Sequence, residues 1–194
     1  MNDTTLNFYE ANSEEYTADK SAPNPRLFTF LNQCKPNGRV LELGTGGGVD
    51  AAAIIENGFK LDATDGSSEL AAIASLRIGQ PVKTMLFNEL DANGIYDGVY
   101  ACASLTHVPR HELGEVISRI HRAMTESAVV WASFKAGAKE GSDALGRYYN
   151  YFQQDQLISL WQVSASWRKI EAEAWTGSAY DRKPTDWLAI TAMK

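Results

Sequence analysis

Residues 40 to 48 read Val-Leu-Glu-Leu-Gly-Thr-Gly-Gly-Gly, a short apolar strand running straight into a glycine turn. A helix-like stretch, Val49 to Asn57, follows at once. Strand, glycine turn and helix together let a backbone approach a nucleotide-like ligand closely, with helical N–H groups aimed at it. Two details narrow the ligand. The glycines stand at 44, 46 and 48, so the dinucleotide pattern G-x-G-x-x-G fails, because its third glycine would fall at Val49. Glu42, two residues before the first glycine, would repel a pyrophosphate and suits a cation. Both count against an NAD-dependent oxidoreductase.

The chain has 194 residues, enough for one α/β domain with a full core and too few for two ordinary domains. One domain over residues 1–194 is expected. Apolar residues make up 44% and charged residues 22%, the balance of a globular protein. A net charge of −6 disfavours an extended nucleic-acid surface, though it leaves room for a small basic pocket. No run approaches the roughly 18 apolar residues of a membrane span. The start of the chain is polar and acidic, without a signal-peptide pattern, so a cytoplasmic protein is expected. Cys34 and Cys102 are far apart and form no metal or disulfide pattern. They read as small packing residues, and no metal is expected.

Helix and strand alternate along the chain, which favours a mainly parallel sheet covered on both faces. The first strand is Arg39 to Leu43, the second Phe59 to Thr64 ending at Asp65, the third about Val82 to Phe87. Between the second and third, Ser67 or Ser68 can cap a helix that Gly79 closes. The fourth strand is read as Tyr96 to Ser104 and the fifth as Ala128 to Phe134. A helix after Pro109 separates them, with Leu113, Val116, Ile117, Ile120 and Met124 on one stripe. Residues 135 to 151 are polar and aromatic with little periodicity, and a helix near Gln153 to Val163 follows. Two last strands, about Lys169 to Trp175 and Trp187 to Ala192, flank a loop of roughly ten residues. That connection is too short for a crossover, so the pair should be antiparallel.

These residues resemble the class I S-adenosylmethionine-dependent methyltransferases. Val40 to Gly48 looks like the family's first motif, an acid followed by G-x-G-x-G. Asp65 stands where the family places an acid at the end of strand two. Tyr96-Asp97-Gly98-Val99-Tyr100 and Ser104-Leu105-Thr106-His107-Val108 look like the strand-four motif and the turn beyond it. Ser133-Phe134-Lys135, residues 146 to 151 and residues 183 to 187 look like a small bacterial branch with no assigned substrate. Thr125-Glu126-Ser127-Ala128 departs from the proline and glycines usual before strand five, which should alter only a surface turn. The resemblance implies a Rossmann-like, doubly wound seven-stranded sheet, mostly parallel with an antiparallel last strand. It implies S-adenosylmethionine as cofactor and S-adenosylhomocysteine as product.

The cofactor side would comprise Gly44, Thr45, Gly46 and Gly48 around the methionine end, with Glu42 toward the ammonium. Asp65, 21 residues after Gly44, can accept from both ribose hydroxyls, with Gly66 beside it. Phe87 and Asn88 would lie near the adenine, and Ala103 and Ser104 would pass the cofactor at the end of strand four. His107 falls at the sheet edge where ligands bind and is the candidate base or orienting group. His111 and His121 read as surface residues.

Lys135, Arg147 and Tyr149 supply charge and hydroxyl to a substrate side, which favours a small anionic or polar acceptor. Tyr148, Tyr151, Asp181, Lys183 and Asp186 are further members of the loops at 135–152 and 176–186. Tyr9 and Tyr16 belong to an expected helical lid over residues 1–30. The expected activity is methyl transfer to a small molecule, with neither nucleic acid nor membrane as partner and the oligomeric state open. A cofactor-binding domain without catalysis is the alternative.

Overall fold

The computed structural model describes residues 3–18, 22–180 and 182–194; Asp181 of the expected substrate loop lies outside the described residues. Short helices α1 (Asp3–Ala11), α2 (Ser13–Ala18) and α3 (Pro25–Leu31) precede the sheet. The alternating part then runs β1 (Arg39–Leu43), α4 (Val49–Glu56), β2 (Lys60–Asp65), α5 (Ser68–Ile78) and β3 (Lys83–Thr84). It continues as β4 (Tyr96–Ala101), α6 (Arg110–Ala123) and β5 (Met124–Lys135). A two-stranded hairpin follows, β6 (Gly141–Ser142) with β7 (Tyr148–Tyr149), then α7 (Gln154–Ser164), β8 (Lys169–Ser178) and β9 (Pro184–Met193).

The main sheet has seven strands in the order β3-β2-β1-β4-β5-β9-β8. Only β9 runs against the rest, pairing antiparallel with both β5 and β8. The expected architecture is therefore the observed one. Strand order reverses between β1 and β4, and open α/β sheets leave a ligand crevice at the carboxyl ends of such strands.

Successive residues of the central strands enter opposite cores, as a sheet buried on both faces requires. Leu41, Val99 and Val130 pack with Leu113, Ile117 and Trp161 of α6 and α7. Val40, Tyr100, Val129 and Trp131 pack with Leu27, Phe30, Ile54 and Ala74 of α3, α4 and α5. Local chemistry sets several boundaries. The Ser67 hydroxyl accepts from Leu70 N–H to cap α5, and left-handed Gly79 ends it.

Five of the expected strands end or begin elsewhere than the sequence reading places them. β3 stops at Thr84 because the Glu89 carboxylate accepts from Leu86 N–H (2.6 Å) and turns residues Phe87–Glu89 into a 3-10 helix. β4 stops at Ala101. Beyond it Ala103 takes a φ of 53°, and the Ser104 hydroxyl folds back to donate to Leu43 O (2.5 Å). β5 begins at Met124, with Ser127 at φ 66° in the register shift opposite Tyr96 and Gly98. The terminal strands are longer than expected and the loop between them shrinks to residues 179–183.

The segment after β5 is anchored despite its weak periodicity. Asn150, fully buried, donates from Nδ2 to Leu105 O (2.9 Å) and Val108 O (3.1 Å). Arg110 donates to the carbonyls of Ala138, Asn150 and Tyr151. These bonds fasten the hairpin to the turn that follows β4.

Candidate active site

The glycine turn is shaped by a close neighbour. Gly44 has φ 79°, and a Cβ there would stand 2.4 Å from Ser104 Cβ, so no other residue fits. Gly46 and Gly48 also have positive φ. Asp65, at the end of β2, accepts from Gly46 N–H (2.8 Å) through one oxygen and from Ser67 N–H (2.9 Å) through the other. Burial pushes its carboxyl above the ordinary aspartate value, while those N–H groups work in the opposite direction.

A cleft opens over this turn. Tyr9, Tyr16, Gly44, Gly46, Asp65, Gly66, Phe87, Ala103, Ser104 and His107 line it, ten of the site residues singled out from sequence. Others of that set lie elsewhere. Glu42 is buried behind the turn and accepts from the Thr45 hydroxyl (2.5 Å). Gly48 packs on Ala74, and Asn88 is exposed on its 3-10 turn. None of these four lines the cleft. Leu6 and Leu70, not anticipated, supply apolar wall.

A second, larger cleft adjoins the first. It brings together Tyr9, Tyr16, His107, Lys135, Arg147 and Tyr149 from five separate parts of the chain. Tyr180 and Arg182, which lie in the expected loop at 176–186 but were not singled out within it, and Trp187 of β9 also line it. The signal for the first two was an aromatic residue and a cation in the loop between the last two strands. Tyr9, Tyr16, Ala103 and His107 line both clefts.

His107 sits in a 3-10 helix, Leu105–His107, and is 4% exposed. Its Nδ1 lies 2.6 Å from Tyr148 O, which can only accept, so Nδ1 carries the proton. Nε2 is then the acceptor for the Tyr9 hydroxyl at 2.9 Å. Burial first, then the positive charges of Arg147 and Lys135, lower the imidazole to a pKa of about 4. The phenol of Tyr9 is raised, by burial first and by Tyr16 next, so it stays protonated.

The cations are not equivalent. Arg147, 2% exposed, pairs with Asp143 through Nη2 (2.8 Å) and Nε (3.0 Å), and lies over the rings of Phe8 and Tyr180. Asp143, four residues before it, compensates its charge. Lys135 Nζ lies 3.7 Å from the centroid of the Tyr149 ring. Helices α1 and α2, but not α3, lie against both clefts: Tyr16 Cε1 stands 3.5 Å from where a Gly46 Cβ would be, and Thr17 packs on Gly47.

A family model described as a methyltransferase domain matches residues 15–170, and the chain belongs to that family. No curated protein matches it in sequence. Solved structures share the fold at low identity. A SAM-dependent methyltransferase from Methanosarcina mazei is 15% identical with a TM-score of 0.77, over 90% of this chain and 99% of its own. The 1,6-didemethyltoxoflavin-N1-methyltransferase of Burkholderia thailandensis is 22% identical with a TM-score of 0.68, over 95% and 79%. Phosphoethanolamine N-methyltransferase 2 of Haemonchus contortus is 18% identical with a TM-score of 0.73, over all of this chain and 58% of its own.

Proposed function

We propose that this chain transfers a methyl group from S-adenosylmethionine to a small, anionic or polar acceptor. The observation that carries the reading is the shared wall: Tyr9, Tyr16, Ala103 and His107 face both clefts, so two ligands would meet there. The Burkholderia structure holds 1,6-didemethyltoxoflavin with S-adenosylhomocysteine, and the Haemonchus structure holds phosphomonomethylethanolamine with it. Both support a small-molecule acceptor here.

The first cleft fits the cofactor. Gly44 and Gly46 present bare backbone to it, Asp65 is the carboxylate for ribose hydroxyls, and Phe87 and Leu70 offer apolar surface. When bound, S-adenosylmethionine supplies a methyl group already activated by its sulfonium, so no covalent nucleophile is needed from the protein. Glu42, through Thr45, holds the turn from behind.

The protein's tasks are alignment, exclusion of water and care of a proton. The Tyr9 hydroxyl gives its hydrogen to His107 Nε2. Its oxygen lone pairs remain to receive a hydrogen bond from an acceptor O–H or N–H. A proton leaving the acceptor would pass to Tyr9 oxygen as the Tyr9 proton passes to Nε2. His107 thus acts through Tyr9. Its low pKa makes it a weak base that suits an acceptor with little or no proton to lose.

The test is incubation with methyl-labelled S-adenosylmethionine and a fractionated pool of small metabolites. Label should enter a small-molecule fraction, and Tyr9→Phe should slow its entry by about ten- to a hundredfold while S-adenosylhomocysteine binding is retained. Cofactor binding with no labelled product in any fraction would make the chain a binding domain. Label in added RNA or protein would discard the small-molecule acceptor.

A further inference from the structure

His107 rides on a turn too short to hold itself. Leu105–His107 is a single turn of 3-10 helix, and its own bonds are His107 N–H to Ser104 O and Val108 N–H to Leu105 O, both 3.1 Å. Just before it, the backbone is fixed from the sheet. The Ser104 hydroxyl donates to Leu43 O of β1, and Ala103 N–H donates to Ser133 Oγ of β5 (2.8 Å). Neither bond reaches the peptides that flank the imidazole.

Those peptides are held from the far side, by the segment that follows β7. Asn150 N–H donates to Thr106 O (2.8 Å). Its carboxamide Nδ2 spans the turn, donating to Leu105 O (2.9 Å) and Val108 O (3.1 Å). Three carbonyls around His107 thus converge on one residue. Carbonyls only accept, so the nitrogen of this amide must face them. An apolar side chain would fill the same buried space but answer neither carbonyl that Nδ2 serves. The same segment fixes the ring. Tyr148 O accepts from His107 Nδ1 (2.6 Å), and Tyr148 N–H donates to Thr5 Oγ1 (2.8 Å) of α1, the helix that brings the Tyr9 hydroxyl to Nε2. A shift of the turn by about 1 Å would take both ring bonds out of hydrogen-bonding range.

We infer that Asn150 is a positioning residue: its carboxamide clamps the turn so that His107 offers Nδ1 to Tyr148 and Nε2 to Tyr9. Its purpose rests on the methyltransferase reading, in which Tyr9 and His107 take the acceptor's proton. Asn150 works without charge. Tyr9 of α1, Lys135 of β5, and Asp143, Arg147 and Tyr149 of the β6–β7 hairpin face the ring and set its field. Removing the amide therefore moves the imidazole and leaves its charged neighbours chemically unchanged.

The experiment is heteronuclear NMR of the histidine ring nitrogens in the full chain at neutral pH, for wild type, Asn150→Ala and Leu27→Ala. Leu27, fully buried in the opposite core, controls for a general loss of stability. Wild-type His107 should be held as the Nδ1–H tautomer. Asn150→Ala should lower the ratio of Nδ1–H to Nε2–H forms by about fivefold, as loss of one hydrogen bond implies. Leu27→Ala should leave that ratio unchanged. An Nε2–H tautomer in the wild type, an unchanged ratio in folded Asn150→Ala, or an equal fall in Leu27→Ala would overturn the inference. Should Asn150→Ala not fold, deuterium exchange on the wild type decides. The Asn150 carboxamide hydrogens should exchange about a hundredfold more slowly than those of exposed Asn93, and equal rates would overturn the clamp. Titration of the same samples with S-adenosylhomocysteine separates the two readings. No binding by the wild type would strike the methyltransferase reading, whatever the tautomer of His107.

Discussion

Imidazole at position 107 is neutral because its two nitrogens have unlike partners, a carbonyl that must accept and a phenol free to donate. This has a consequence for stability. The folded pKa of about 4 lies below the 6.5 of an unperturbed histidine, so the unfolded chain takes up a proton over that interval and the folded chain does not. The stability gained by keeping His107 neutral is complete above about pH 6.5 and is lost as the pH falls toward 4, with a slope up to about 1.4 kcal/mol per pH unit. The Tm of the wild type should therefore fall over that range more steeply than that of His107→Gln. Equal slopes would mean that His107 is solvated. At this scale the place of a residue relative to the strands was legible and its partners were not. His107, Asp65 and Gly44 stand out by their place relative to strands. Tyr9 lies 98 positions from His107, and nothing local announces their bond. The pairing of Arg147 with Asp143, four residues before it, was not legible because the stretch has no helical pattern.

Among the elements, those with local punctuation were legible. β1, α4 and α5 run as read, because glycine turns and a serine cap mark their ends. β3 was misjudged at its end, since one carboxylate bond from Glu89 to Leu86 outweighs an apolar run. The β6–β7 hairpin was not legible, because two residues per strand give no alternation to read. The glycine turn gives a test at this scale. Gly44→Ala combines a left-handed φ with a Cβ overlapping Ser104, whereas Gly79→Ala has the same sign of φ and open space around it. In urea unfolding Gly79→Ala should cost about 1–2 kcal/mol. Gly44→Ala should cost clearly more and abolish S-adenosylhomocysteine binding. Equal costs would show that Ser104 yields and that the turn is not set by that contact.

Across the whole molecule, the sheet reverses its winding between β1 and β4, and both clefts form at that end. The chain carries a net charge of −6, yet the second cleft collects Lys135, Arg147 and Arg182. Overall acidity thus coexists with three cationic side chains in one cleft, which only folding brings together. Among the described residues no helix is long and apolar enough to cross a membrane. The most direct measurement is calorimetric titration of wild type and Asp65→Ala with S-adenosylmethionine, S-adenosylhomocysteine and NAD. Both adenosyl ligands should bind the wild type while NAD does not. Asp65→Ala should bind them about ten- to a hundredfold more weakly, as loss of hydrogen bonds to a charged group implies. Binding of NAD alone, or adenosyl affinities unchanged in Asp65→Ala, would contradict the assignment of the glycine cleft.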